Sequence, residues 1–578
     1  DEHHATIGFE AHETRPDTDF KLIFALGEDA VGMSVLTYRP TSSEDGYFMV
    51  LASPGAMKDK STVQTRDICF ILDTSGSMAG PKMEQAKRAL QFCLANLNDN
   101  NRFQLVRFST EAEALFDELR PATKENTDTA IAFVQKFKPI GGTAIGDALR
   151  KSLSYRPPPN AQVGPTQDGR GPGPDRPYVI IFLTDGQPTV GETNEDKLVD
   201  IVKHAGSTHY DAGANVRVFS FGIGHDVNTH LLDRIANDAR GFSQYVLEKE
   251  DIELKVSSFY TKIQSPVLTD LKLTYGDRLD HPDKVALKQI YPSQMPDLYL
   301  GQTLVTFGRF SGHGTGTLML RGSADGKEQV VSTPADFPEK DDSHAFIARL
   351  WATRRVGWLL DEIRMRGESN ELKDEVVTLA REHGIVTPYT AYLILEDEAR
   401  RNVPLTLRSF SELETHDYAL TRSRDYYDSA RPDSGRLEKA GERAVENALA
   451  AGALKESQTT AGAKQAHGLD KKPAIAGEPL AATTGAGADG ALGYRVQQNF
   501  TQQVRNVRGK TFYQNGATWT DAAAQVQATT QPARKQQKIA FNSDDYFALA
   551  RAHPDAAAWL SLGNEVDVVI DETLYQIR

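Results

Sequence analysis

Cysteine is nearly absent from this chain. Two thiols in 578 residues, Cys69 and Cys93, argue against a disulfide-built domain and a cysteine-rich zinc site. Cys69 lies in an apolar run and Cys93 on the apolar face of a helical pattern, so both read as small core residues. No apolar run reaches the ~18 residues a membrane-spanning helix needs. Basic excess is missing as well: 65 Lys and Arg face 79 Asp and Glu, a formal net charge of −14, which argues against nonspecific nucleic-acid binding. No G-x-S-x-G, H-E-x-x-H or C-x-x-C motif occurs, so the common nucleophile and zinc signatures are not there. The chain opens on Asp1 rather than Met and shows no signal peptide; a processed or trimmed product is expected, its targeting segment already removed.

What is present is a strand, a polar turn and a helix. Ile68-Cys69-Phe70-Ile71-Leu72 is a continuous apolar run, the pattern of a parallel strand buried on both faces. Asp73-Thr74-Ser75-Gly76-Ser77-Met78 follows, and then Lys82 to Leu97 with Met83, Ala86, Ala89, Leu90, Cys93, Leu94 and Leu97 at helical spacing. This order puts one carboxylate and two hydroxyls at the carboxyl end of a central strand, where open α/β sheets bind ligands. An oxygen-only set with few charges suits Mg²⁺ better than Ca²⁺ or Zn²⁺. The same residue types also cap helices and turns, so the turn by itself is weak evidence.

Two further loops strengthen it. Gly141-Gly142-Thr143 precedes a helical pattern over 144–154, and Leu183-Thr184-Asp185-Gly186 ends the apolar strand Tyr178–Leu183. In this order, D-x-S-x-S, G-G-T and T-D-G resemble the von Willebrand factor A domain, whose metal-ion-dependent adhesion site is built from these elements. The resemblance implies Asp73, Ser75, Ser77, Thr143 and Asp185 as metal ligands, with Mg²⁺ as the cofactor and Mn²⁺ or Ca²⁺ as alternatives. The expected fold class is α/β: a doubly wound, mostly parallel, Rossmann-like sheet flanked by β-sandwich segments and a small helical region. Strands are expected at Arg66–Leu72, Phe103–Phe108, Tyr178–Thr184, Val216–Gly222 and Phe242–Val246, with a short antiparallel edge near Ala114–Phe116.

Around this domain, at 66–264, the chain divides by composition. Residues 1–60 alternate apolar and polar and resemble the last strands of the domain that precedes the A domain in inter-alpha-trypsin inhibitor heavy chains and their bacterial relatives. Arg156 to Pro177, rich in Pro and Gly, are expected to form a flexible loop inserted on the A domain. Residues 265–340 return to a strand period and read as a small β-sandwich sharing strands with the amino-terminal segment. Residues 344–400 are a helical segment with a closing strand; Leu350-Trp351-Ala352-Thr353 and the stretch from Gly384 match the bacterial members of that heavy-chain family. Residues 430–490, rich in Ala, Gly, Ser, Thr and Gln, are expected to be a disordered linker. Residues 495–578 form a small α+β segment, with a hairpin at Gln514-Asn515-Gly516. That tail is a candidate to cover open strand edges near the amino terminus.

Four other features have bland explanations. Ser311-Gly312-His313-Gly314 looks like a phosphate cradle but reads as a hairpin turn. His225 and His230 look like metal ligands but read as surface residues beside a helix capped by Asn228 or Thr229. The arginines at 349, 354, 355, 364 and 366 read as a solvated face with local ion pairs. Asp1-Glu2-His3 has the groups of an amino-terminal Cu²⁺ or Ni²⁺ site if Asp1 is the true start.

Three functions remain. In the first, the module is not an enzyme: a divalent cation accepts an Asp or Glu carboxylate from a partner protein. In the second, the chain is a structural subunit that assembles into oligomers or complexes through β edges and tail. In the third, the same Mg²⁺ serves a hydrolase. The heavy-chain resemblance implies an extracytoplasmic protein, periplasmic, cell-surface or secreted. Vertebrate heavy chains are linked to glycosaminoglycan through an Asp-Pro cleavage; this sequence has no Asp-Pro dipeptide, so that linkage is not inferred.

Overall fold

The computed structural model describes residues 31–54, 65–156, 176–205, 216–247, 250–276, 285–324, 327–385, 387, 439–457, 504–515, 518–525, 535–553, 555–571 and 573–578. The strand pattern before residue 31, the Asp1-Glu2-His3 terminus, most of the 156–177 insertion and the closing strand after Gly384 lie outside them.

The amino-terminal strands β1 (Val31–Tyr38) and β2 (Gly46–Pro54) pair antiparallel. Then comes β3 (Asp67–Asp73), every residue of which is buried. Helix α1 (Pro81–Ala95) begins with proline after Gly80 at φ +84°, a residue order suited to a sharp helix start. Next are β4 (Arg102–Phe108), β5 (Ala112–Ala114), β6 (Arg120–Pro121), α2 (Lys124–Gln135) and α3 (Ile145–Ser154). The second half of the unit runs β7 (Tyr178–Thr184), α4 (Glu195–Ala205), β8 (Val216–Ile223), α5 (Thr229–Asp238), β9 (Ser243–Val246) and α6 (Ile252–Ile263).

The sheet order is β5-β4-β3-β7-β8-β9, with β6 beside β4. The long strands are parallel, and β5 is antiparallel at the edge. Period-two alternation sends Ile68, Phe70 and Leu72 to one face with the apolar residues of α1 and α6. It sends Cys69 and Ile71 to the other face with those of α3, α4 and α5. Both faces are therefore dry, and β3 is apolar at every position between Asp67, which pairs with Arg102, and Asp73. Both cysteines are free and buried. The doubly wound α/β class expected from the sequence is the class observed.

After α6 the chain returns to strands: β10 (Pro266–Tyr275), β11 (Ala286–Tyr291), β12 (Leu298–Tyr299), β13 (Leu304–Ser311), β14 (Gly314–Ala324) and β15 (Lys327–Phe337). They make two four-stranded sheets, β1-β2-β13-β11 and β12-β10-β14-β15. Val31, Ala52, Leu268, Leu271, Leu304 and Leu320 pack together between them. The amino-terminal pair thus finds its third strand, β13, some 250 residues along the chain (Leu51 opposite Val305). The loop at Ser311–Gly314 is not a hairpin turn. It is a corner: β13 belongs to one sheet and β14 to the other, and the short Gly-rich link carries the chain between them.

Helix α7 (Phe346–Arg366) lies on the first sheet, with Trp351 edge-on to Tyr47 at 5.4 Å and its indole N–H on the Gln289 carbonyl at 3.0 Å. Helix α8 (Asn370–His383) packs beside it. Of the arginines of this region only Arg366 has the expected exposed place and local ion pair, with Glu362; the others are not a solvated face. Arg354 is buried, donates to the carbonyls of Val305 (2.7 Å) and Ser457 (3.1 Å), and stacks over Phe307 at 4.8 Å. Arg364 is buried between Asp233 and Asp361, and Arg355 forks onto Glu375. The 3.6-residue pattern shows which side of a helix is apolar, but not that three other segments close over its arginines.

The expectation of a disordered linker at 430–490 is overturned within the described stretch 439–457. Glu442–Glu456 forms a helix, α9, whose Ala444, Val445, Ala448, Ala451 and Leu454 are buried at helical spacing. Small side chains let it approach α7 closely: a Cβ on Gly357 would lie 2.7 Å from that of Leu454. The alanine content that looked like low complexity is what close helix packing requires.

Among the described residues no strand of the carboxyl-terminal part pairs with the amino-terminal edge. Within them that part builds its own six-stranded sheet: β16 (Val504–Val507), β17 (Lys510–Asn515), β18 (Thr518–Asp521), β19 (Lys535–Ile539), β20 (Glu565–Ile570) and β21 (Thr573–Ile577), in the order β16-β17-β18-β20-β21-β19. Trp519, Trp559 and Phe512 contribute to its core. It meets α8 through Thr511 and Tyr513, whose hydroxyls donate to the carbonyls of Glu382 (2.7 Å) and Arg381 (2.5 Å).

Candidate metal centre

Asp73 is the last residue of β3, and its carboxylate is buried. The Ser75 N–H donates to Asp73 Oδ1 (2.8 Å), and the Thr184 hydroxyl donates to Oδ2 (2.6 Å). Burial lifts the Asp73 carboxyl to about 6; the bonds from Thr184 and Ser75 work the other way, and the neighbouring Asp185 charge adds to the rise. Its turn is fixed by backbone bonds on both sides. Thr74 N–H donates to the Phe108 carbonyl (2.7 Å), Gly76 N–H to the Gly141 carbonyl (3.1 Å), and Ile140 N–H to the Thr74 carbonyl (2.8 Å).

The Gly141-Gly142-Thr143 loop owes its path to its glycines. Gly141 has φ +82°, and a Cβ there would meet the Thr110 hydroxyl at 2.5 Å; at Gly142 it would meet Val190 Cγ2 at 2.5 Å. Thr143 is then clamped from the far side: its N–H donates to the Thr189 hydroxyl (2.8 Å), and its carbonyl accepts from the Thr189 N–H (3.0 Å).

Asp185 follows β7, the strand next to β3, so the two carboxylates emerge side by side. Ser77 Oγ donates to Asp185 Oδ1 at 2.7 Å and lies 3.1 Å from Ser75 Oγ. A Cβ built on Gly186 would sit 3.2 Å from the Thr143 hydroxyl and 3.8 Å from Asp73 Oδ2. All five residues expected from the sequence are therefore gathered around one small volume.

The donor set fits a hard divalent ion. Six oxygens held octahedrally at about 2.1 Å lie roughly 3 Å from their neighbours. The Ser75–Ser77 and Ser77–Asp185 separations, 3.1 and 2.7 Å, bracket that spacing. Two carboxylates and three hydroxyls, with Ser77 and Gly76 open to solvent, are hard-cation chemistry with one side left for another ligand. Among the described residues no three or more His, Cys, Asp or Glu side chains gather as metal ligands, which leaves this hydroxyl-rich set.

Two participants were not expected. Thr184 fixes Asp73, and Lys82 Nζ lies 2.9 Å from Asp185 Oδ2. Nothing in the sequence separates Lys82 from Lys87, the other lysine of its helix; Thr184 stands inside the T-D-G motif without an obvious role.

His230 is not on the surface. It is buried, with Nδ1 2.7 Å from Glu195 Oε2 and Nε2 2.9 Å from the Met365 carbonyl. That contact, first of several, draws the Glu195 carboxyl down to about 2. Asn228 does cap the helix, its side chain accepting from Leu231 N–H at 3.0 Å. His230 is thus a fastener between α4, α5 and the end of α7, not a metal ligand beside His225.

Residues 67–262 match the von Willebrand factor type A domain family. The chain is 28% identical over 367 residues to human inter-alpha-trypsin inhibitor heavy chain H4, covering 61% of this chain and 37% of that protein. It is 29% identical over 369 residues to pig heavy chain H2, with the same coverage. The matched region thus spans little more than a third of these curated relatives. Among solved structures, a von Willebrand factor type A protein from Catenulispora acidiphila aligns over 63% of this chain and 89% of its own at 15% identity, with a TM-score of 0.44.

Proposed function

We propose that this chain, which matches the von Willebrand factor type A domain over residues 67–262 and is similar to inter-alpha-trypsin inhibitor heavy chains over 61% of its length, is a divalent-cation-dependent protein-binding module. Asp73, Ser75, Ser77, Thr143 and Asp185 hold the ion, with Mg²⁺ the best match to the donor set. When bound, the ion supplies a Lewis-acidic position that accepts a carboxylate from an Asp or Glu of the partner. The protein's own residues do the rest. Thr184 and the Ser75 N–H fix Asp73, the glycine loop brings in Thr143, and the exposed side at Gly76 and Ser77 admits the partner. The extracytoplasmic location implied by the heavy-chain resemblance belongs to the same proposal.

The observation that carries this reading is the convergence of three loops, from β3, the 141–143 turn and β7, on one small volume, with the oxygens of Ser75, Ser77 and Asp185 spaced as octahedral neighbours. Isothermal titration of Mg²⁺ and Mn²⁺ into EDTA-stripped protein, beside Asp73→Ala, tests it. Binding by the wild type and none by a folded Asp73→Ala supports the reading. A folded wild type that binds neither ion overturns it.

A further inference from the structure

The site already contains a cation. Lys82, in the first turn of α1, places its ammonium 2.9 Å from Asp185 Oδ2, while Asp185 Oδ1 accepts from Ser77. The Asp185 side chain has no exposed surface, whereas that of Lys82 is 30% exposed. A buried carboxylate without a counter-charge is costly, and Lys82 supplies that counter-charge to Asp185 without any metal.

The position of the ammonium is built rather than incidental. Gly224, in the turn after β8, has φ +86°, and a Cβ there would meet Lys82 Nζ at 3.2 Å and Cε at 3.5 Å. The Gly224 N–H is tied to the Val246 carbonyl at 2.8 Å. Three segments therefore form the niche: the start of α1, the turn at Asp185 and the turn at Gly224. Asp73 receives hydrogen bonds but has no cation of its own among the described residues, so the charge compensation is one-sided.

We propose that Lys82 is the resident cation of this site, holding Asp185 in ligand geometry when no metal is bound and setting how tightly a divalent ion is taken. This rests on the metal-binding reading above. The two carboxylates and Lys82 sum to −1; a divalent ion brings the sum to +1, which one partner carboxylate cancels. A unit positive charge one carboxylate away from a divalent ion weakens its binding on the order of tenfold, even at the dielectric constant of water.

The test is titration of Mg²⁺ and Mn²⁺ into EDTA-stripped wild type, Lys82→Gln and Lys82→Arg, with thermal unfolding of each in EDTA and in saturating Mg²⁺. Glutamine keeps a donor for Asp185 and removes the charge; arginine keeps the charge. Lys82→Gln should bind Mg²⁺ about tenfold more tightly than wild type. It should also unfold at a lower temperature in EDTA, a gap that saturating Mg²⁺ closes, while Lys82→Arg follows the wild type. Equal or weaker binding by Lys82→Gln, or no loss of stability in EDTA, overturns the proposal and leaves the metal-binding reading standing. Binding by Lys82→Gln alone sustains the proposal and overturns that reading for the natural chain. Binding by none of the three proteins overturns both.

Discussion

Ser77 and Asp185 stand 108 residues apart in the chain and 2.7 Å apart in space, hydroxyl to carboxylate. Adjacency of β3 and β7 produces this contact: the strands run parallel in register, so their carboxyl-terminal turns open at the same height. Ser77→Ala removes one ligand oxygen and the donor to Asp185 without touching the core, since Ser77 is exposed. Mg²⁺ affinity should fall by about 10- to 100-fold, the scale of lost metal-site support. The thermal midpoint in EDTA should stay within a few degrees of wild type, near the ~0.5–1.5 kcal/mol of one hydrogen bond. Calorimetry beside circular dichroism measures both.

Gly141→Ala should disable the same site from outside it. Alanine at φ +82° is strained, and its Cβ would fall 2.5 Å from the Thr110 hydroxyl. The loop must shift, and it carries both the carbonyl that holds Gly76 and the adjoining Thr143. The expected outcome is a folded protein destabilised by about 1–3 kcal/mol with Mg²⁺ binding weakened at least tenfold. Unchanged metal affinity in this variant would show that the loop does not position Thr143.

The A domain could be read from the sequence because its evidence is local. The two middle strands, at 68–72 and 178–183, are unbroken apolar runs, and each ligand motif sits at the end of a strand or the start of a helix. What could not be read depends on distant segments. His230 becomes buried because Met365 arrives 135 residues later, and Arg354 because the carbonyls of Val305 and Ser457 surround it. Lys82 resembles Lys87 in composition and periodicity; only the turn at Gly224 distinguishes it. Helix α9 was hidden because alanine and glycine look alike in a disordered linker and in a close helix contact.

That close contact makes a clear prediction. Gly357 faces α9 so tightly that an added Cβ would lie 2.7 Å from Leu454 Cβ and 2.8 Å from the Lys455 nitrogen. The second of these is backbone and cannot rotate away. Gly357→Ala should cost about 1–3 kcal/mol through overpacking, even though alanine favours a helix more than glycine does. The loss should be concentrated at 439–457, visible as faster amide exchange or proteolysis there, while metal binding stays unchanged. A stabilised Gly357→Ala would mean that α9 does not dock on α7 in solution.

His383, at the end of α8, should make this region sensitive to acid. Burial, reinforced by the charges of Arg349 and Arg309, pushes its imidazole down to about 3, against an ordinary 6.5, and its Nε2 is buried without a hydrogen-bond partner. The folded state therefore resists a proton that the unfolded chain accepts. Between about pH 6.5 and 3 the unfolded state binds more protons, so stability falls as the pH falls through that window, by about 1.4 kcal/mol per unit for one such group. Above pH 6.5 this residue contributes no slope. His383→Gln cannot take up the proton, so its stability should decline less between pH 6.5 and 4 than that of the wild type, whatever the offset between the two at pH 7. Urea denaturation at half-unit pH intervals measures the difference in slope. Parallel curves for the two proteins would show that His383 is accessible to protons in the folded state.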